Sequence, residues 1–303
     1  MRIAVLGAGA MGSLFGGYLS RCNDVWLVDV NADLVDAINA QGVRILEKGE
    51  EINLRPRAVC ASSDIDAMDL VIVFVKSLFS EGALKSNANL IGKNTYVMTL
   101  QNGAGHEAIL EKYIDRGRII IGTTMHNSSI VEPGRVNHGG GGKTTIGLLD
   151  GGSSSLQRIA DNFSRCGIET ETSDNVKKSI WNKLFVNASA SIVTAVLQTN
   201  LDYIAVNKSA WELTERLARE AVGVANADGM GFDVDIVLGD ISKLVSNARN
   251  GFTSIYADIR DGRKTEVDTI SGFVVREAKR LGVEAPGQEL IACLCHALEG
   301  RSR

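Results

Sequence analysis

A glycine-rich hexapeptide constrains this chain more than any other feature. Gly7-Ala8-Gly9-Ala10-Met11-Gly12 follows directly on the apolar run Ile3-Ala4-Val5-Leu6. A run of that length suits a strand buried on both faces of a parallel sheet. The first glycine permits a tight turn, the second lets the backbone approach a pyrophosphate, and the third lets helix and strand pack closely. Backbone N–H groups at the start of the following helix then meet the phosphates. Gly7, Ala8, Gly9, Ala10, Met11 and Gly12 are therefore candidate cofactor-binding residues. Alone the hexapeptide is a weak signal. Here the pattern predicts a helix from about Met11 to Ser20 and a second strand at Val25–Val28, and Asp29 ends that strand 22 residues after Gly7. That order of elements predicts a dinucleotide site.

Asp29 bears on which dinucleotide. A carboxylate there accepts hydrogen bonds from the ribose 2′-OH and repels a 2′-phosphate. Val30 and Asn31 supply no positive charge, so charge alone favours NADH. Asp29 has an alternative role as cap of a helix starting near Asn31, a role open equally to Asn31 and Asp33.

Further buried strands are expected at Leu70–Val75, Tyr96–Leu100 and Ile119–Ile121, alternating with helical stretches. This alternation predicts an α/β fold with a Rossmann-type doubly wound sheet. From Ile130 to Leu149, Pro133-Gly134 and Gly139–Gly142 suggest strands joined by tight turns. Gly151-Gly152-Ser153-Ser154-Ser155 reads as a loop, and the helical pattern at Leu156–Phe163 still belongs to the first domain. From Val176 onward helical spacing dominates, as in Trp211–Ala227. A chain of 303 residues accommodates a dinucleotide-binding domain over 1–172 and an all-α substrate and catalytic domain over 173–303.

Composition excludes several classes. A net charge of -4 with no Lys/Arg-rich run argues against a nucleic-acid partner. The expectation is no membrane span, no signal peptide and a cytoplasmic location, because no apolar stretch reaches the ~20 residues a span needs. Cys22, Cys60, Cys166, Cys293 and Cys295 are scattered and odd in number, which suits a reduced compartment. The pair Cys293/Cys295 has no partner cluster to complete a zinc site, so no metal is expected.

A carbonyl that receives a hydride becomes an alkoxide and needs a proton donor, and lysine suits when burial lowers its pKa. In Trp181-Asn182-Lys183-Leu184-Phe185-Val186-Asn187, residues Lys183, Asn187 and Ser191 recur every four positions on one face of an expected helix. Taken by itself, an ordinary exposed lysine is the better reading, since Lys is rarely buried. Ser254, Asp258 and Glu266 lie at four- and eight-residue spacing near Arg260 and Arg263. They read either as a solvated charged face or as a set in which Glu266 pairs with Lys183. Asn102 follows an apolar strand, at the carboxyl end where ligands sit in such sheets. Lys76 also follows an apolar strand, within reach of cofactor phosphates. The four histidines show no metal spacing, and none is assigned to catalysis.

The series GAGAMG, Val75-Lys76, Gln101-Asn102-Gly103, GTTMH at 122–126, PGRVNHGG at 133–140, WNKLFVNA at 181–188 and DGRKTEVDTISG at 261–272 resembles the ketopantoate reductase family through nearly the whole chain. The resemblance implies a Rossmann domain followed by a helical one, with the active site between them. It implies NADPH-dependent reduction of a 2-oxo acid (2-dehydropantoate) to the (R)-2-hydroxy acid, on the route to pantothenate. By that resemblance Lys183 is the proton donor and Glu266 lies near substrate and cofactor. Asn187 and Ser254 bind substrate, Asn102 lies close to nicotinamide and substrate, Lys76 near the cofactor, and Ser128 offers a backbone contact to the nicotinamide amide. Three positions depart from the pattern. Ser191 stands where many members have a second Asn, Leu201 where a further Asn is expected beside Asn200, and Asp29 where a basic residue often reads the 2′-phosphate. Kept catalytic residues with altered readers suit an NADH-dependent (R)-2-hydroxyacid dehydrogenase on another 2-oxo acid. A non-catalytic dinucleotide sensor and a β-hydroxyacid dehydrogenase are the more distant alternatives. Apolar helical faces suffice for a homodimer or simply for a core.

Overall fold

The Gly-rich turn has the setting its sequence requires. In a computed structural model, which describes residues 1–150, 154–248, 250–299 and 301, the chain divides into two units. One comprises Met1–Gln101 and His106–Ser179, the other Asn102–Gly105 and Ile180–Arg303.

Among its described residues the first unit carries twelve strands: β1 (Arg2–Leu6), β2 (Asp24–Val28), β3 (Val43–Glu47), β4 (Glu50–Leu54), β5 (Arg57–Val59), β6 (Leu70–Val73), β7 (Tyr96–Thr99), β8 (Ile119–Thr124), β9 (Asn127–Glu132), β10 (Arg135–Gly140), β11 (Thr144–Leu148) and β12 (Thr170–Thr172). Eight form one sheet in the order β12-β11-β8-β7-β6-β1-β2-β5, parallel except where β11 meets β8. From β1 the chain first builds outward through β2 to β5, then returns to lay β6 on the other side of β1. The order reverses there, and such a switch point opens the crevice where ligands bind. Strand β6 is buried throughout, as its unbroken Leu-Val-Ile-Val demands. It ends at Val73, two residues before the expected end, while β8 runs on to Thr124.

The remaining strands form a second sheet, β4-β3-β10-β9. The hairpin β3–β4 and the short β5 lie in a stretch for which the sequence suggested no strand. The hairpin turns at Lys48-Gly49, with φ of 51° and 87°. Helix Ser154–Arg165 belongs to this unit and takes in Ser154 and Ser155, which the sequence placed in a loop. The rest of that expected loop, residues 151–153, lies outside the described residues.

The second unit is helical. Its core gathers Trp181, Leu184, Phe185, Ile192, Leu217 and Val224 among others, around the long helix Lys208–Ala227 and the C-terminal helix Pro286–Glu299. The continuous helical run Val176–Leu197 is long enough, and over an 18-residue window apolar enough, to span a membrane by length and composition. This corrects the expectation that no stretch reaches that length. In its apolar window 61% is buried inside the protein, as in the core helix of a globular fold.

Candidate functional site

In the first unit Gly7 has φ 96°, and a Cβ there would sit 2.7 Å from the Val75 nitrogen. The turn between β1 and helix Ala10–Leu19 therefore packs against the backbone leaving β6, and only glycine fits. A Cβ on Gly12 would strike the Gly7 carbonyl, so the third glycine lets the helix sit directly over the turn. Gly9 faces open space, which leaves room for a pyrophosphate. Ala10 and Met11 open the helix beside it.

Asp29 does not cap the following helix. Asn31 does so, its side chain accepting from the Leu34 N–H at 3.2 Å. The Asp29 carboxylate instead accepts from the Ala8 N–H at 2.8 Å and from the Asn31 N–H at 3.0 Å. It ties the end of β2 to the glycine turn and stays partly exposed. Lys76 opens the 3-10 turn Ser77–Phe79 after β6. Gln101, which the sequence reading quoted only as part of a motif, is buried here. Its amide donates to the Val75 carbonyl and to Ser80 Oγ, and its Oε1 accepts from Thr99 Oγ1 at 2.8 Å. Gln101 thus fixes the backbone that Gly7 touches. Ser128 lies in β9 with its Oγ buried and without a hydrogen-bond partner.

The same unit holds a polar chain that sequence spacing missed. Tyr18 donates to Glu47 Oε2 at 2.8 Å, Glu47 Oε1 lies 3.0 Å from His138 Nδ1, and His138 Nε2 lies 3.0 Å from His126 Nδ1. With His138 Nδ1–H turned to the carboxylate, its Nε2 is the acceptor and His126 Nδ1–H the donor. Burial, and then the charge of His138, lower the His126 pKa. Burial and Glu47 raise that of Tyr18. Desolvation pushes the Glu47 pKa up, but the Tyr18 hydrogen bond and His138 outweigh it and the net shift is downward.

In the second unit Lys183 lies on helix Val176–Val186, whose neighbours Trp181, Leu184 and Phe185 are buried. Its side chain keeps some accessible surface, yet it is closely enclosed. Desolvation lowers its pKa from 10.5 to about 8, opposed by the negative charge of Glu266. The helix continues through a π-turn at Asn187–Ser191 and resumes at Ile192–Leu197. Ser191 Oγ lies 3.5 Å from Asn187 Oδ1, so these two expected site residues adjoin. The Thr194 hydroxyl bonds the Ser191 carbonyl at 2.7 Å and Thr253 Oγ1 at 2.9 Å. Thr253 caps helix Ser254–Arg260, and this link brings exposed Ser254 towards Ser191.

Glu266 reaches the set by a different route from the one its spacing suggested. The helix ends at Arg260, so Glu266 is not on its face but opens a 3-10 turn, Val267–Thr269. Asp258 is buried and paired with Arg263 at 2.9 Å, a structural ion pair. The Thr269 hydroxyl faces the carbonyls of Glu266 at 3.0 Å and of Asn102 at 3.3 Å. Asn102 therefore packs within the helical unit, although it follows a strand of the sheet. Gly103 (φ 87°) makes this approach possible, since a Cβ would strike the Thr269 carbonyl. Thr269 entered the sequence pattern only as part of the motif at 261–272.

The structure thus gathers Lys183, Asn187, Ser191, Ser254, Glu266 and Asn102 in the helical unit, and the glycine turn with Asp29, Lys76 and Ser128 in the sheet unit. Among the described residues no group of His, Cys, Asp or Glu is placed to hold a metal ion.

Two family models match the chain: ketopantoate reductase PanE/ApbA over residues 3–151 and its C-terminal part over 175–299. The chain belongs to the ketopantoate reductase family. The 2-dehydropantoate 2-reductase of Lactococcus lactis is 31% identical, covering 99% of this chain and 98% of the relative. That of Pyrococcus abyssi is 33% identical, covering 99% and 100%. Among solved structures, a D-mandelate dehydrogenase with NADH and anilino(oxo)acetate superposes with a TM-score of 0.92 at 32% identity, covering 99% and 98%. The 2-dehydropantoate 2-reductase from Geobacter metallireducens gives 0.92 at 27% identity, covering 98% and 99%. The chain is thus an oxidoreductase of the 2-dehydropantoate 2-reductase type. Its family depends on a nicotinamide dinucleotide and acts on a small molecule.

Proposed function

We propose that the chain reduces a 2-oxo acid to the (R)-2-hydroxy acid, with residues 1–172 binding the dinucleotide and 173–303 supplying the catalytic groups. The observation that carries this reading is the enclosed Lys183, in line with Asn187 and Ser191 and under the charge of Glu266. The reduced nicotinamide supplies the hydride when bound. Lys183 Nζ gives its proton to the oxygen that becomes the hydroxyl, and a pKa near 8 lets it donate at neutral pH and recover the proton from solvent. Glu266 keeps the ammonium charged. Asn187, Ser191 and Ser254 offer hydrogen bonds to the carboxylate and side chain of the substrate, and Asn102 to the reacting end. Gly7 to Gly12 fit a pyrophosphate, Lys76 the phosphates, and Ser128 the nicotinamide amide.

A second reading concerns specificity. The small Ser191 and the apolar Leu201 stand where the family resemblance calls for Asn, and Asp29 presents a carboxylate to the ribose. Both features favour an aromatic or branched 2-oxo acid with NADH over ketopantoate with NADPH, as does the likeness to the D-mandelate dehydrogenase bound to NADH. Steady-state rates with ketopantoate and phenylglyoxylate, each with NADH and NADPH, decide between them. Turnover of ketopantoate with NADPH above all other pairs upholds the first name, and turnover of phenylglyoxylate with NADH above the rest upholds the second. A cytoplasmic location accords with either.

A further inference from the structure

The π-turn at Asn187–Ser191 has a cause that lies a hundred residues away. Ile192 N–H donates to Asn187 O, five residues back, where an α-turn would use Ala188 O. The Ala188 carbonyl, displaced from the helical ladder within a fully buried residue, accepts instead from Gln288 Nε2 at 2.8 Å. Gln288 is itself fully buried, and its second amide hydrogen goes to Leu217 O at 2.9 Å. Its Oε1 has no hydrogen-bond partner. The amide orientation is therefore dictated by two carbonyls that need a donor. Gln288 is held by its own backbone. Glu220 on helix Lys208–Ala227 accepts from the Gly287 and Gln288 N–H groups at 3.0 and 2.9 Å, at the start of helix Pro286–Glu299.

The π-turn matters because of what it does to the polar face. Four α-residues overshoot a full turn by about 40°, so Lys183, Asn187 and Ser191 would drift around an unbroken α-helix. The wider i→i+5 ring takes that drift out between Asn187 and Ser191, and their side chains meet at 3.5 Å. A buried carbonyl without a donor is strongly disfavoured, so the turn depends on an outside amide.

We infer that Gln288 is a positioning residue of the reaction: its amide holds the π-turn and so sets Asn187 and Ser191 in line with Lys183. The inference rests on the reading that Asn187 faces the substrate. Gln288 touches no reactant. Lys183 lies before the π-turn, so its proton donation is untouched by it.

The test uses the holoenzyme with its preferred nicotinamide cofactor and 2-oxo acid, and the variants Gln288→Met, Gln288→Glu and Asn187→Ala. Gln288→Met keeps the length and removes both donors. It should raise the KM for the 2-oxo acid by about tenfold or more, with the cofactor KM and the alkaline break in kcat unchanged. In Gln288→Glu the carboxyl donates only when protonated, so the KM should return towards the wild-type value as the pH falls. Loss of packing alone gives no such recovery. Asn187→Ala separates the two layers of the argument. If it leaves the KM unchanged, the reading of the substrate face is wrong. If it raises the KM while Gln288→Met does not, the role of Gln288 is refuted and the reading stands. A pH-independent KM in Gln288→Glu, or a Met variant in which both substrates' KM values rise alike, refutes it too.

Discussion

Glu266→Gln isolates the electrostatic half of the Lys183 chemistry. In the native protein desolvation brings Lys183 down to about 8, and the Glu266 charge holds it from falling further. Removing that charge at nearly constant shape should move the pKa lower still. An opposite charge close by is worth about 1–3 units, and Lys183 keeps some contact with water, so a fall of about one unit is expected. With a pKa of about 8, half of the lysines are protonated at pH 8, and a fall of about one unit leaves about a tenth. The sign follows from the direction of reaction. Reduction needs the ammonium, so its kcat/KM is flat below about pH 8 and drops tenfold per unit above it. Oxidation of the hydroxy acid needs the neutral amine and shows the mirror profile. Glu266→Gln should move both breaks to lower pH together. Rates are followed by nicotinamide absorbance from pH 5.5 to 10, and the position of the break is compared rather than the height, because the substitution also alters the surroundings of Lys183. Lys183→Ala should lower reduction by ~10² or more and abolish the break, while dinucleotide binding survives. A Glu266→Gln enzyme whose break stays in place or moves to higher pH would refute the pairing, and an active Lys183→Ala enzyme would refute the mechanism.

Three further outcomes are expected. Asp29→Asn relieves repulsion of a 2′-phosphate and should raise the NADPH-to-NADH ratio of kcat/KM by about tenfold or more; it also removes one acceptor from the Ala8 and Asn31 N–H groups, costing about 1 kcal/mol of stability in urea titrations. An unchanged cofactor ratio would mean that Asp29 serves only the turn. Ser191→Asn places beside Asn187 the Asn that the family resemblance implies and should shift preference from phenylglyoxylate towards ketopantoate, read as a ratio of kcat/KM; no shift would remove Ser191 from the specificity argument. The pKa of His126 is lowered by burial and by His138, and that of Glu47 is also lowered. An unfolded chain therefore takes up protons before the folded one does. Thermal stability should be fully developed above about pH 6.5 and fall as the pH drops below it, a slope that His126→Phe should flatten.

How much of this was legible depended on whether a residue's role is local. The glycine turn could be read because the requirements of strand, turn and helix fall within a dozen neighbouring residues, and Gly7 and Gly12 meet the contacts they imply. Buried parallel strands such as β6 announce themselves as unbroken apolar runs. Hairpin β3–β4 does not, because its strands mix Arg44, Glu47, Glu50 and Glu51 with the apolar residues, and its turn uses Lys48-Gly49 rather than the usual Asn-Gly. The same limit governs the site. Lys183, Asn187 and Ser191 share a helix, so spacing set them on one face, though by itself it favoured an exposed lysine and only the family resemblance singled Lys183 out; spacing also put Glu266 on a helix that stops at Arg260. The carbonyls of Glu266 and Asn102 meet at the Thr269 hydroxyl, 167 residues from Asn102. Tyr18, Glu47, His126 and His138 come from four separate segments. Gln288 is the limiting case. In the sequence it is one polar residue inside an apolar helix, indistinguishable from a solvent-facing glutamine. Its role appears only when Ala188 has lost its α-helical donor, a consequence of the turn that the glutamine itself sustains. The geometry of the polar face is thus set jointly by two segments a hundred residues apart, and no periodicity within either one can express it.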